Sequence, residues 1–164
     1  MVQPGPAIAS FALALGLPAL SSAQELPCAP ALPLEVAHPP AEAALERCAA
    51  DGYRVSVAVV DAGGNLKVLL RADGAGPHTT DSSFKKAYTS ASLGRPTGEL
   101  AQFIVDQPAA QGLRDMNDKI LILGGGLPIQ TDGGMVGGIG VGGAPGGHLD
   151  EACARAGLDA LAGG

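Results

Sequence analysis

Two apolar blocks punctuated by glycine dominate the hydrophobic pattern of the chain, one from Val55 to Gly74 and one from Gly124 to Gly143. Within each, runs of aliphatic residues flank a polar cluster, Asp61-Ala-Gly-Gly-Asn65 in the first and Thr131-Asp-Gly-Gly134 in the second. Asn, Asp and Gly supply the positive φ angles of tight hairpin turns, so each block predicts two strands joined by a turn. The first hairpin is expected over Arg54 to Val60 and Leu66 to Arg71. The sheet is therefore mostly antiparallel.

The segments between and around the blocks read as helices. Ala41 to Ala50 consists of strong helix formers, places Ala44, Leu45 and Cys48 on one face and stops at Asp51-Gly52. Leu26 to Pro40, by contrast, carries five Pro and no period, which predicts an extended arm. Thr79, Thr80 and Asp81 offer side-chain caps for a helix over Asp81 to Leu93, and Thr97 offers one for a shorter helix over Thr97 to Val105. Asp106 to Asn117 reads as a loop, and Lys119 to Leu123 leads into the Gly124-Gly125-Gly126 turn. A last helix is expected over His148 to Leu161, with Asp150 and Glu151 in its first turn complementing the helix dipole.

The N-terminal run Ala7 to Leu20 is too short for a membrane span and is followed by the small residues Ser21 and Ala23. This is the pattern of a secretory signal cleaved after Ala23. The expected organisation is a signal peptide over 1–23, a Pro-rich arm over 24–40 and one domain over 41–164. Export permits a disulfide. Cys28 and Cys48 are placed to staple the arm to the body, leaving Cys153 as a small buried residue, although spacing alone leaves three pairings open.

Composition narrows the partners. A formal charge of -6 with no basic stripe argues against nucleic acid or anionic membrane. With two Tyr, three Phe and no Trp, aromatic stacking is a poor candidate for the main binding mode. A small-molecule ligand fits better.

Few motifs carry chemistry. Gly138-Ile-Gly-Val-Gly-Gly143 satisfies G-x-G-x-x-G, but the chain ends too soon for a second parallel strand and a ribose-binding acid. These glycines read instead as positions of close backbone approach. His38, His78 and His148 are too dispersed for a zinc motif, and no Ser lies in a G-x-S-x-G elbow. His78 stands in a Gly-Pro loop at a helix start, and imidazole is an iron ligand. Lys85 and Lys86 are candidate partners of a carboxylate. The amides of Gly124 to Gly126, if close to Thr79, Thr80 and Ser82, form a second candidate site, for a small organic acid. Asp61, Asp73 and Lys86 are the acid-base candidates of an enzymatic reading, with Asp61 and Asp73 equally suited to turns.

Several stretches together resemble the family of small heme-binding proteins called HbpS or GlcG, also found as the C-terminal domain of PduO-type cobalamin adenosyltransferases. They are Val59-Val-Asp-Ala-Gly-Gly-Asn65, Asp73-Gly-Ala-Gly-Pro77, Lys86-Ala-Tyr-Thr89, Gly94-Arg-Pro-Thr97, Gly124-Gly-Gly-Leu-Pro-Ile129, and Gly138-Ile-Gly-Val141 through Asp150-Glu-Ala152. The resemblance implies an α+β fold, a profilin-like three-layer α/β/α sandwich with a five-stranded, mostly antiparallel sheet. It also implies homo-oligomers, a secreted or periplasmic location and heme as ligand. On that basis heme is expected in a groove near the second helix and the Gly124 to Pro128 turn. His78 or Thr89 would approach the iron, and Lys85, Lys86 or Arg95 the propionates.

Overall fold

In the order of the chain, the structure, a computed structural model that describes Met1 and residues 31–163, contains α1 (Leu34–Ala50), β1 (Ser56–Asp61), β2 (Leu66–Arg71), α2 (Thr79–Leu93), α3 (Thr97–Asp106), a 3-10 segment (Pro108–Asp115), β3 (Gly126–Thr131), β4 (Gly134–Gly142) and α4 (Gly147–Ala162). The expected leader, the first part of the arm and Cys28 lie outside the described residues.

Both expected hairpins form, and they join through β1 and β4 into one antiparallel sheet of order β2-β1-β4-β3. The expected fifth strand is corrected: among the described residues the sheet has four. The apolar segment before β3 has other uses for its groups. Ile120 and Ile122 pack with Leu100 and Ile104 of α3, and the Leu121 amide donates to Thr89 Oγ1 at 2.8 Å. A backbone donor spent on a side chain does not extend a ladder.

Strand alternation builds the layers. Successive residues of β1 point to opposite faces. Val57 and Val59 join Ala37, Ala41, Ala44 and Cys48 of α1 and Cys153 and Ala154 of α4, whereas Ala58 and Val60 meet Ala87 and Ala91 of α2. The sheet thus lies between α1 with α4 on one side and α2 on the other. On the α2 side the glycines of β4 allow close approach: a Cβ on Gly138 would collide with the Ala87 carbonyl oxygen, and one on Gly140 with that of Ser83. The G-x-G pattern is a packing seam.

α1 corrects the expected arm. It begins at Leu34 and carries Pro39 and Pro40 inside it. Each Pro removes one ladder donor, a cost of about 3 kcal/mol or more in a free helix interior. The stripe Ala37, Pro40, Ala41, Ala44 and Cys48 is buried along the whole element, and this packing overrides local propensity. The disulfide is also corrected. Cys48 bonds Cys153, not Cys28, because α1 and α4 lie side by side with the two Cα atoms 5.5 Å apart.

Candidate functional site

The expected site residues lie mostly on α2 and on the turn before β3, and the fold separates them into a buried set and an exposed set. Lys86 belongs to the buried set. Its Nζ donates to Asp150 Oδ2 at 2.7 Å and to the Val141 carbonyl at 2.9 Å, and the side chain is 2% exposed. Burial pushes the Asp150 carboxyl above its usual range, while the charge and hydrogen bond of Lys86 and the Ala144 amide pull it back. Lys86 therefore cannot reach a propionate.

Thr89 is likewise spent. Its hydroxyl donates to the Lys85 carbonyl at 2.7 Å and accepts the Leu121 amide, and the residue is fully buried. It braces the segment before β3 and leaves no oxygen for iron.

Gly124, Gly125 and Gly126 are packed against protein. A Cβ at Gly124 would meet the backbone of Gly147, one at Gly125 would meet Asp150 Cβ at 2.6 Å, and one at Gly126 would collide with the Lys86 carbonyl oxygen. The Gly126 amide donates to Thr97 Oγ1 at 2.8 Å, so Thr97 ties α3 to β3 and does not cap its own helix. Thr79 is used in the same way: its hydroxyl bonds Ser56 and the Gly76 carbonyl, with no side-chain cap on α2. The small-acid constellation does not assemble. The glycines pack around the Lys86–Asp150 pair instead.

The acid-base trio is not assembled either. Asp61 closes the β1–β2 turn through Gly63 and Asn65, Asp73 is exposed in the next loop, and Lys86 is held by Asp150.

The exposed set remains available. His78 immediately precedes Thr79; its carbonyl accepts the Ser82 amide, while its ring lies against Gly76 with no hydrogen bond among the described residues. Lys85 Nζ, half-buried, pairs with Asp81 at 3.1 Å. Arg95 pairs loosely with Glu99 at 3.5 Å and lies over the Phe103 ring, on the α3 side of the molecule. Among the described residues no cluster of three or more His, Cys, Asp or Glu could hold a metal ion. Nor is any described helix long and apolar enough to cross a membrane.

A family model described as "Haem degrading protein HbpS-like" matches residues 32–159. The chain belongs to the HbpS-like family. Among solved structures, this HbpS-like chain is similar to a double mutant of HbpS from Streptomyces reticuli, with 46% identity and a TM-score of 0.77 over 88% of this chain and 97% of that one. It is also similar to the PduOC:Heme complex, with 31% identity and a TM-score of 0.72 over 79% of this chain and 94% of that one. A curated relative is an uncharacterized 15.0 kDa protein of Citrobacter freundii, 38% identical over 90 residues, or 54% of this chain. The match spans 63% of that protein's length, and a match to the corrinoid adenosyltransferase PduO of Salmonella typhimurium, at 32% identity over 65% of this chain, spans 32% of that enzyme.

Sequence reasoning missed the roles of Asp150 and Thr97. The HbpS-like motifs that carry them, Asp150-Glu-Ala152 and Gly94-Arg-Pro-Thr97, were visible, but the partners lie 64 and 29 residues away. Only the unusual polar residues in otherwise apolar helix faces hinted at them.

Proposed function

We propose that this HbpS-like chain is an exported heme-binding protein that binds or scavenges heme on the exposed side of α2. The observation that carries the reading is the likeness, at 31% identity over most of both chains, to a relative solved as a heme complex. His78 fits the role of iron ligand, being exposed, with an imidazole ring that makes no hydrogen bond among the described residues. Lys85 fits that of a propionate partner, because a surface pair such as Lys85–Asp81 is worth at most about 1 kcal/mol and is readily exchanged. Bound heme would supply an iron whose spectrum depends on its axial ligand. Export is supported by the apolar run ending before Ala23 and by a disulfide, which persists in oxidising compartments. Assembly into homo-oligomers is part of the same proposal.

The test is an absorbance titration of hemin into the chain starting at Gln24, with size-exclusion chromatography. A saturable, sharpened Soret band at one heme per chain or per dimer is expected, and His78→Ala is expected to shift it. A weak, non-saturating change would refute heme binding. The family's description also names haem degradation, which would appear as a time-dependent loss of the Soret band with iron released to a chelator.

A further inference from the structure

We infer that the flat face of heme docks in an apolar trough between β2 and α2; this rests on the heme reading above and adds its location. The trough follows from a single irregularity in the sheet. Along β1 and β2 the register pairs Ala58 with Leu69 and Val59 with Val68, then slips, so that Val60 faces Leu66. The slip turns Leu66 to the same face as Leu69, the face of Ala58 and Val60 on which α2 packs. Val68 and Leu70 go to the opposite face and join the core with α1.

α2 does not cover these two leucines. It is drawn over β4 by the glycine seam and over β1 by Ala58 and Val60, and it covers β2 only in part. Leu66 is 48% and Leu69 41% exposed. The other wall is aromatic. Phe84 packs on the Ala58, Val60, Ala87, Ala91 cluster and stands 6.2 Å from the Tyr88 ring, which lies against Gly64 of the β1–β2 turn. From His78 to Tyr88 the α2 wall is about 15 Å long, enough for a flat tetrapyrrole.

Charge selects the occupant. In a chain of net charge -6, cations border this trough. Arg71, whose guanidinium donates to the Ala75 carbonyl, stands on the same face of β2 as Leu69, and Lys119 Nζ lies 5.2 Å from the centre of the Tyr88 ring, while Lys85 on α2 and Asp81 offset each other. The carboxylates on these elements are engaged, Asp81 with Lys85 and Asp61 with its own turn. An apolar floor with a cationic rim complements a planar, largely apolar dianion better than it complements another acidic surface.

Leu69→Asp tests the assignment, since Leu69 is exposed and its replacement spares the core; Leu34→Asp, at an exposed leucine of α1, is the control. Hemin affinity from the Soret titration, thermal unfolding and size-exclusion are read on each protein. Saturable binding by the wild type and the control, with affinity at least tenfold weaker in a folded Leu69→Asp, is the expected result, and Arg71→Ala with Lys119→Ala should weaken binding in the same direction. Unchanged affinity in Leu69→Asp overturns the trough while leaving heme binding in place. Unchanged affinity with a smaller particle would make the trough a contact between copies, which also overturns the assignment. Failure of the wild type to bind would sink the heme reading itself, and the trough with it.

Discussion

Lys86 of α2 and Asp150 of α4 meet at 2.7 Å with side chains only 2% and 4% exposed, joining the helix on one face of the sheet to a helix on the other. Every remaining polar group there has a partner, the lysine on the Val141 carbonyl and the second carboxylate oxygen on the Ala144 amide. The pair fixes how the two hairpins, α2 and α4 converge at Gly124 to Gly126.

Removing one partner of a buried pair costs about 3–5 kcal/mol, because the other charge stays buried and unpaired. Lys86→Met is expected to lose stability of that order at neutral pH, measured by urea unfolding. The loss should shrink in acid, where the stranded Asp150 carboxyl takes up a proton. The double variant Lys86→Met, Asp150→Asn should recover much of it. Equal losses in the single and double variants would show that the contact contributes packing alone.

Asp61 gives a pH dependence of definite sign. Partial burial raises its carboxyl, but hydrogen bonds from Asn65 and Gly63, with Lys67 nearby, outweigh this and hold it below the usual 3.8. A lowered folded value contributes stability above the unfolded pKa that is lost as pH falls through the folded one. Asp61→Asn should therefore lower stability at pH 6 and flatten the acid limb below about pH 4, as read from urea midpoints across that range.

Local signals made most of the fold legible. Turn residues such as Asp61, Asn65 and Asp132 marked both hairpins, and β2 and the C-terminal end of α2 lie where the apolar runs and Gly94 put them. What sequence could not display was long-range competition. Pro39 and Pro40 argue locally against helix, and only the packing of α1 on α4 outweighs them. The resemblance pointed to Thr89 as a ligand, and Lys86 read as a carboxylate partner; here the segment before β3 and the α4 N-terminus consume them. Gly124 to Gly126, expected to border a ligand groove, pack on Gly147, Asp150 and the Lys86 backbone for the same reason. The register slip that exposes Leu66 leaves no trace in the hydrophobic pattern, since Leu66, Val68 and Leu70 read as one alternating face.

The glycine seam makes a sharp packing prediction. Gly140→Ala would drive a methyl into the Ser83 carbonyl oxygen and the Ala87 nitrogen, both backbone atoms that cannot swing aside. α2 must then lift from β4, and the expected loss is about 1–3 kcal/mol from overpacking. Gly112→Ala, with nothing within 4 Å of the added methyl, is the control and should leave the unfolding midpoint unchanged.

The disulfide joins residues 105 apart in sequence, so its constraint on the unfolded chain is large. A native bridge of this kind is worth about 2–4 kcal/mol, more than a marginal domain can spare without a fall in melting temperature. Cys48 and Cys153 are both fully buried, so reduction in the folded state should be slow and should accelerate in denaturant. Paired replacement, Cys48→Ala with Cys153→Ala, is expected to lower stability by that amount, whereas Cys28→Ala should leave it unchanged. Peptide mapping of the unreduced protein distinguishes the bridges directly. Recovery of a Cys28–Cys48 peptide in place of Cys48–Cys153 would overturn the pairing, and a stable folded state in the double variant at the wild-type midpoint would assign the α1–α4 contact to the packing of Ala37, Ala41 and Ala44 instead.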